Sequence, residues 1–184
     1  MTAAAPGGGP FDVLKREGGP DEGWPWVSPD DRVAVSISHS GEWAVAVAAP
    51  GPTLGVDLES SLLSPEPSFY EETFAPGELS AWRLPAELAS LRTPLAWAAK
   101  EAALKVWGVG LRAPLGAVGL FMESLQPGAF GWELEARLEV YRDFPRLGPA
   151  PSQLRGVLAT VDASVFVLLE ARAPAKESDW LLFK

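Results

Sequence analysis

The chain has no cysteine and one histidine in 184 residues, and its 15 basic side chains face 24 acidic ones, a formal charge of -9. Without cysteine there is no disulfide framework, no thiolate nucleophile and no thiolate-bound zinc or iron–sulfur centre. With one histidine, a two-histidine metal site cannot form within one chain, and a serine–histidine relay could use only His39. A metal would have to be held mainly by carboxylates, which suits a hard cation such as magnesium, manganese or calcium and hence phosphate chemistry. The acidic balance argues against general nucleic-acid binding. No uncharged run reaches the roughly 18 residues of a membrane helix; the longest, Trp43 to Val56, is interrupted by Pro50 and Pro52. The first ten residues lack the basic and apolar regions of a secretory signal, so a soluble cytoplasmic protein is the expectation.

What is present reads as a mixed α+β chain. Residues 1–30 hold eleven Gly or Pro and are expected to form a loose arm anchored by aromatics such as Trp24 and Trp26. Two β-prone runs, 33–37 and 43–48, flank the turn Ser38-His39-Ser40-Gly41 and read as a hairpin. A strand follows over 54–59, and helical fragments are expected near 66–73 and 77–83. The strongest helix covers 94–107, with Thr93 as its cap, Pro94 at its first position and Gly108 beyond its end. Residues 132–140 alternate apolar and polar, as a half-buried strand does, and 154–161 with 164–171 form a closing hairpin. The hairpins at 33–50 and 156–174 echo each other, either by coincidence or as duplicated lobes about a cleft.

The candidate chemistry lies in three places. Alternation along a strand sends Asp57 and Glu59 from one face and Val56 and Leu58 from the other. At roughly 6–7 Å along the backbone, two such carboxylates can share a cation. Alone, the pattern equally describes a solvated strand end. Trp97, Glu101 and Lys105 recur every four residues and form one stripe of the helix, where Glu101 and Lys105 could be an ordinary exposed ion pair. The small residues Ala98, Ala99, Ala102 and Ala103 around them allow backbone or ligand to approach closely. His39, in a polar turn, reads first as a local hydrogen-bonding residue.

In this order, S-H-S-G (38–41), L-G-V-D-L-E (54–59) and W-A-A-K-E-A-A-L-K (97–105), followed by Gly108-Val109-Gly110-Leu111, resemble the 4′-phosphopantetheinyl transferase superfamily, in particular the surfactin-synthetase-activating type. The resemblance implies two similar α+β lobes related by a pseudo-two-fold axis, with the first lobe truncated. Residues 1–30 would be a Gly/Pro-rich arm, 31–56 the remnant of the first lobe, and 57–184 the second lobe. It implies that coenzyme A lies between the lobes as substrate, with magnesium on its pyrophosphate held by Asp57, Glu59 and Glu101. His39 and Ser38 would meet coenzyme A phosphates, with Lys100 and Lys105 beside them. Lys105 would bind the pyrophosphate, and Glu101 would be the candidate base for an attacking carrier-protein serine. The family's usual lysine fifteen residues before the histidine is replaced by Trp24, and the preceding stretch offers only Lys15 and Arg16. The shortened front half makes a homodimer the assembly to test. Residues 81–115, with a local charge of +3 from Arg83, Arg92, Lys100, Lys105 and Arg112 against Glu87 and Glu101, are the expected docking face for an acyl or peptidyl carrier protein. The alternatives are a weakened family member that binds carrier or coenzyme A without turnover, and an unrelated carboxylate–magnesium phosphohydrolase.

Overall fold

The computed structural model describes residues 3–4, 10–15, 17, 25–28, 33–50, 53–60, 65–142 and 149–171. The strands are β1 (Ala3–Ala4), β2 (Pro10–Lys15), β3 (Pro25–Ser28), β4 (Val33–Ser40), β5 (Trp43–Pro50), β6 (Leu54–Ser60), β7 (Val118–Gly128), β8 (Gly131–Val140), β9 (Gln153–Val161) and β10 (Ser164–Ala171). The helices are α1 (Pro67–Thr73), α2 (Glu78–Ala81) and α3 (Arg92–Trp107). Strands and helices thus mix as expected of an α+β chain. Every described helix follows β6.

The front of the chain is not a loose arm where it is described. Strands β1, β2 and β3 form a three-stranded sheet in that order, with Val13 opposite Val27. Pro10 and Pro25 each occupy the first residue of a strand, where proline need not donate to the ladder. The short apolar runs between the Gly/Pro clusters outweigh those clusters, and Val27 is buried. Trp24 and Arg16 lie outside the described residues.

The main body is an antiparallel five-stranded sheet in the order β6-β10-β9-β8-β7. The closing hairpin turns at Asp162, which adopts a positive φ of 50°. β8 keeps its alternation: Leu134, Ala136 and Leu138 are buried while Glu133 is exposed. The edge strand β7 is long and was not specified by alternation, because Val118, Gly119 and Leu120 are all buried.

Helix α3 starts two residues earlier than its sequence signals suggest and ends where expected. A 3₁₀ segment, Ala86–Leu91, leads directly into it, and no side chain caps its start. Thr93 is therefore inside the first turn. Pro94 also sits there, where the N–H it lacks would have had no helical partner. At the other end Gly108 takes a φ of 82°, and its N–H donates to the Leu104 and Lys105 carbonyls.

Close packing of α3 on β6 depends on one glycine. A Cβ on Gly55 would stand 2.0 Å from the Ala102 carbonyl oxygen, so only glycine lets the helix cross the strand at this depth. Because Gly55, Asp57 and Glu59 alternate onto the same side of β6, the acids face the helix rather than open water. Their neighbours across the β10 pairing, Val167 and Val165, are fully buried. A solvated strand end is excluded.

Hairpin β4–β5 lies beside the free edge of β6. The Ser36 hydroxyl accepts the Val56 N–H at 3.0 Å, and the Ser38 hydroxyl accepts the Leu58 N–H at 3.4 Å. Serine hydroxyls two residues apart thus meet strand amides two residues apart, in place of a backbone ladder. β6 itself runs unbroken across residues 56 and 57.

Candidate active site

From Pro94 to Val106 every residue of α3 is buried except Trp97, Glu101 and Lys105. The stripe read from spacing is therefore the helix's one partly open face along that span. It faces the acids of β6. The Trp97 indole N–H donates to Glu59 Oε1 at 3.2 Å. The Lys105 ammonium donates to Asp57 Oδ1 at 2.7 Å and to the Val56 carbonyl at 2.9 Å. An ammonium has three donors, so one N–H of Lys105 is left for another acceptor. Lys105 is thus committed to Asp57, not to a surface pair with Glu101.

Glu101 stands between these two rungs. Burial, and then the charges of Asp57 and Glu59, push its carboxyl up to about 7, against a smaller opposing effect of Lys105. Burial also raises Asp57, opposed by Lys105, and burial plus Asp57 raise Glu59. Mutual repulsion is the physical sign that the three carboxylates share one region of low polarity. Ionised, three carboxylates against one ammonium carry an excess of two negative charges.

Asp57 Oδ1 accepts from both Lys105 and Ser38, each at 2.7 Å. Its other oxygen, Oδ2, is buried with no hydrogen-bond partner among the described residues. An orphaned carboxylate oxygen in an all-oxygen, electron-rich cluster fits a hard divalent cation. Among the described residues no three acidic or histidine side chains are already drawn together into a metal cage. The donor chemistry fits, while Lys105 neutralises part of the charge.

Two residues expected near a cofactor lie apart from the acids. Lys100 is fully buried on the far side of α3, paired with Glu78 at 2.8 Å and bonded to the Thr73 carbonyl. Helix geometry turns it away from Glu101, its immediate neighbour, so it cannot reach a ligand at the carboxylates. Glu78 also accepts the Ala75 and Leu120 amides, and the Trp82 indole donates to the Leu120 carbonyl, which ties α2 to the edge strand β7. His39 pairs with Ala44 inside the hairpin, short of the turn at Gly41–Glu42. It is exposed, on the face of β4 opposite Ser38, and does not join the acids. Ser38 does join them, through Asp57.

The expected basic docking face shrinks accordingly. Lys100 is buried and Lys105 is engaged, while Arg83, Arg92, Arg112 and Glu87 are exposed, with Arg112 donating to the Gly108 and Val109 carbonyls. Sequence reading missed Glu78, Trp82 and Ser36. Nothing in the chain's spacing marks Glu78 as the partner of a lysine 22 residues later.

No helix among the described residues is long and apolar enough to cross a membrane. No curated protein matches the chain closely. Residues 53–137 match the family model of the 4′-phosphopantetheinyl transferase superfamily. That segment begins just before β6 and contains Asp57, Glu59, Glu101 and Lys105, so the matched stretch is the one that carries the acids and the lysine.

Proposed function

We propose that the chain is an enzyme of the holo-carrier-protein synthase type. It moves 4′-phosphopantetheine from coenzyme A to a serine of an acyl or peptidyl carrier protein and releases adenosine 3′,5′-bisphosphate. The observation that carries this reading is the placement of Asp57 and Glu59 under the Trp97–Glu101–Lys105 stripe of α3, joined to it by Lys105 on Asp57 and Trp97 on Glu59. Magnesium is the proposed cation, with those three acids as its holders, and when bound it would supply neutralisation of the pyrophosphate charge.

The chain's own residues account for the rest. Cleavage of a pyrophosphate requires charge balance and in-line placement more than covalent help. The serine oxygen bonds to the phosphorus that bears the pantetheine arm, and the bond from that phosphorus to the bridging oxygen breaks. Glu101 is the base that takes the serine proton. The spare N–H of Lys105 donates to a pyrophosphate oxygen as charge develops on the leaving group. Val56 and Asp57 hold that ammonium in place before substrate arrives. Trp97 fixes Glu59 in the same way.

A second reading, binding of carrier or coenzyme A without turnover, draws on the exposed His39 and the buried Lys100, which leave two expected phosphate contacts away from the acids. The two lobes, the truncation of the first, cytoplasmic residence and a homodimer belong to the proposal as well. Intact-mass measurement of an apo carrier protein incubated with coenzyme A, magnesium and this protein separates the readings. A gain of one phosphopantetheine supports transfer; coenzyme A binding with no gain across several carriers supports the second reading.

A further inference from the structure

Asp57 is bracketed on one oxygen only. Oδ1 accepts the Ser38 hydroxyl and the Lys105 ammonium, each at 2.7 Å, while Oδ2 is buried and unpartnered among the described residues. The Ser38 hydroxyl is itself oriented: its oxygen accepts the Leu58 N–H, so its single proton is directed at Asp57. A carboxylate's terminal torsion is broad and two-fold, so Lys105 alone could hold either oxygen. Two donors arriving from different elements, β4 and α3, leave one orientation.

Resting on the carboxylate–cation reading above, we propose that Ser38 is a positioning residue. It turns Asp57 so that Oδ2 is the oxygen presented to the cation, and it thereby couples seating of the β4–β5 hairpin to cation binding. Ser38 is the only described residue of the hairpin whose side chain reaches an acid of the cluster. Its neighbour Ser36 makes the same kind of contact to β6, accepting the Val56 N–H, but touches no carboxylate. Ser36 is the internal control for a merely structural role.

The test is Mn²⁺ binding by the full chain without coenzyme A, read as loss of the free-ion electron paramagnetic resonance signal, alongside melting temperature. Ser38→Ala is expected to weaken Mn²⁺ affinity about tenfold, the scale on which residues supporting metal ligands act. Ser38→Thr, which keeps the hydroxyl, should restore most of it. Ser36→Ala should lower the melting temperature yet leave affinity within about twofold, because it orphans an amide and not a ligand. Equal affinity in wild type and Ser38→Ala, or an equal loss in Ser36→Ala, overturns the assignment while leaving the cation reading intact. No Mn²⁺ binding by the folded wild type refutes both together.

Discussion

Glu101→Gln isolates the electrostatic cost of the site. Glutamine keeps the shape of the protonated carboxyl and cannot ionise. In the folded protein the Glu101 carboxyl is pushed from 4.5 to about 7, so folding favours its protonated form. A raised acid contributes stability fully below its unfolded value, and that contribution is lost as pH rises through the folded one. With these two values the linkage relation gives a cost of about 1 kcal/mol near pH ~5 and up to about 3 kcal/mol near pH ~8. The residue's partial exposure makes the larger figure an upper value. Glu101→Gln should therefore be more stable than wild type, and increasingly so toward alkaline pH. For a chain of this size, about 3 kcal/mol corresponds to roughly 6–12 °C in melting temperature. The assay is thermal or urea unfolding of both proteins across that pH range with a chelator present. A difference that is absent, or that does not grow with pH, refutes the claim that burial, reinforced by the neighbouring Asp57, raises the Glu101 carboxyl. Magnesium should narrow or reverse the difference, since it binds more tightly to the protein that retains all three carboxylates.

Other perturbations follow from the same geometry. Gly55→Ala places a methyl group 2.0 Å from the Ala102 carbonyl oxygen; separating α3 from β6 should cost about 3 kcal/mol or more, read in urea unfolding, and should abolish transfer even where folding survives. Lys100→Met leaves Glu78 buried without its cation and should cost about 3–5 kcal/mol, with the double variant Glu78→Gln, Lys100→Met recovering part of the loss in the same unfolding assay. Trp97→Phe removes the donor to Glu59, and should weaken Mn²⁺ binding while leaving the melting temperature within a few degrees of wild type, because the ring packing against Phe69 is kept.

The site was legible wherever a periodicity placed it. Alternation put Asp57 and Glu59 on one side of β6, and the four-residue spacing put Trp97, Glu101 and Lys105 on one stripe of α3. Both are backbone properties, fixed by local geometry. The sequence could not show that the strand's acidic side lies under the helix, because that depends on the depth of the crossing at Gly55. Contacts made by side chains across long separations were equally out of reach. Lys100 looks like a surface cation until Glu78, 22 residues earlier, is folded against it. That the Ser38 hydroxyl meets Asp57 emerges only once β4 is laid along β6. The front strands were hidden by their connectors: Gly and Pro dominate the count, while Asp12 to Lys15 pair with Pro25 to Ser28.

The central claim is that Asp57, Glu59, Glu101 and Lys105 form one centre for phosphopantetheine transfer. Its most direct test is the intact mass of an apo carrier protein after incubation with coenzyme A and magnesium, comparing wild type with folded Glu101→Ala. The account predicts a gain of one phosphopantetheine with wild type, none with a chelator in place of magnesium, and none with Glu101→Ala. Modification by Glu101→Ala at the wild-type rate would contradict it.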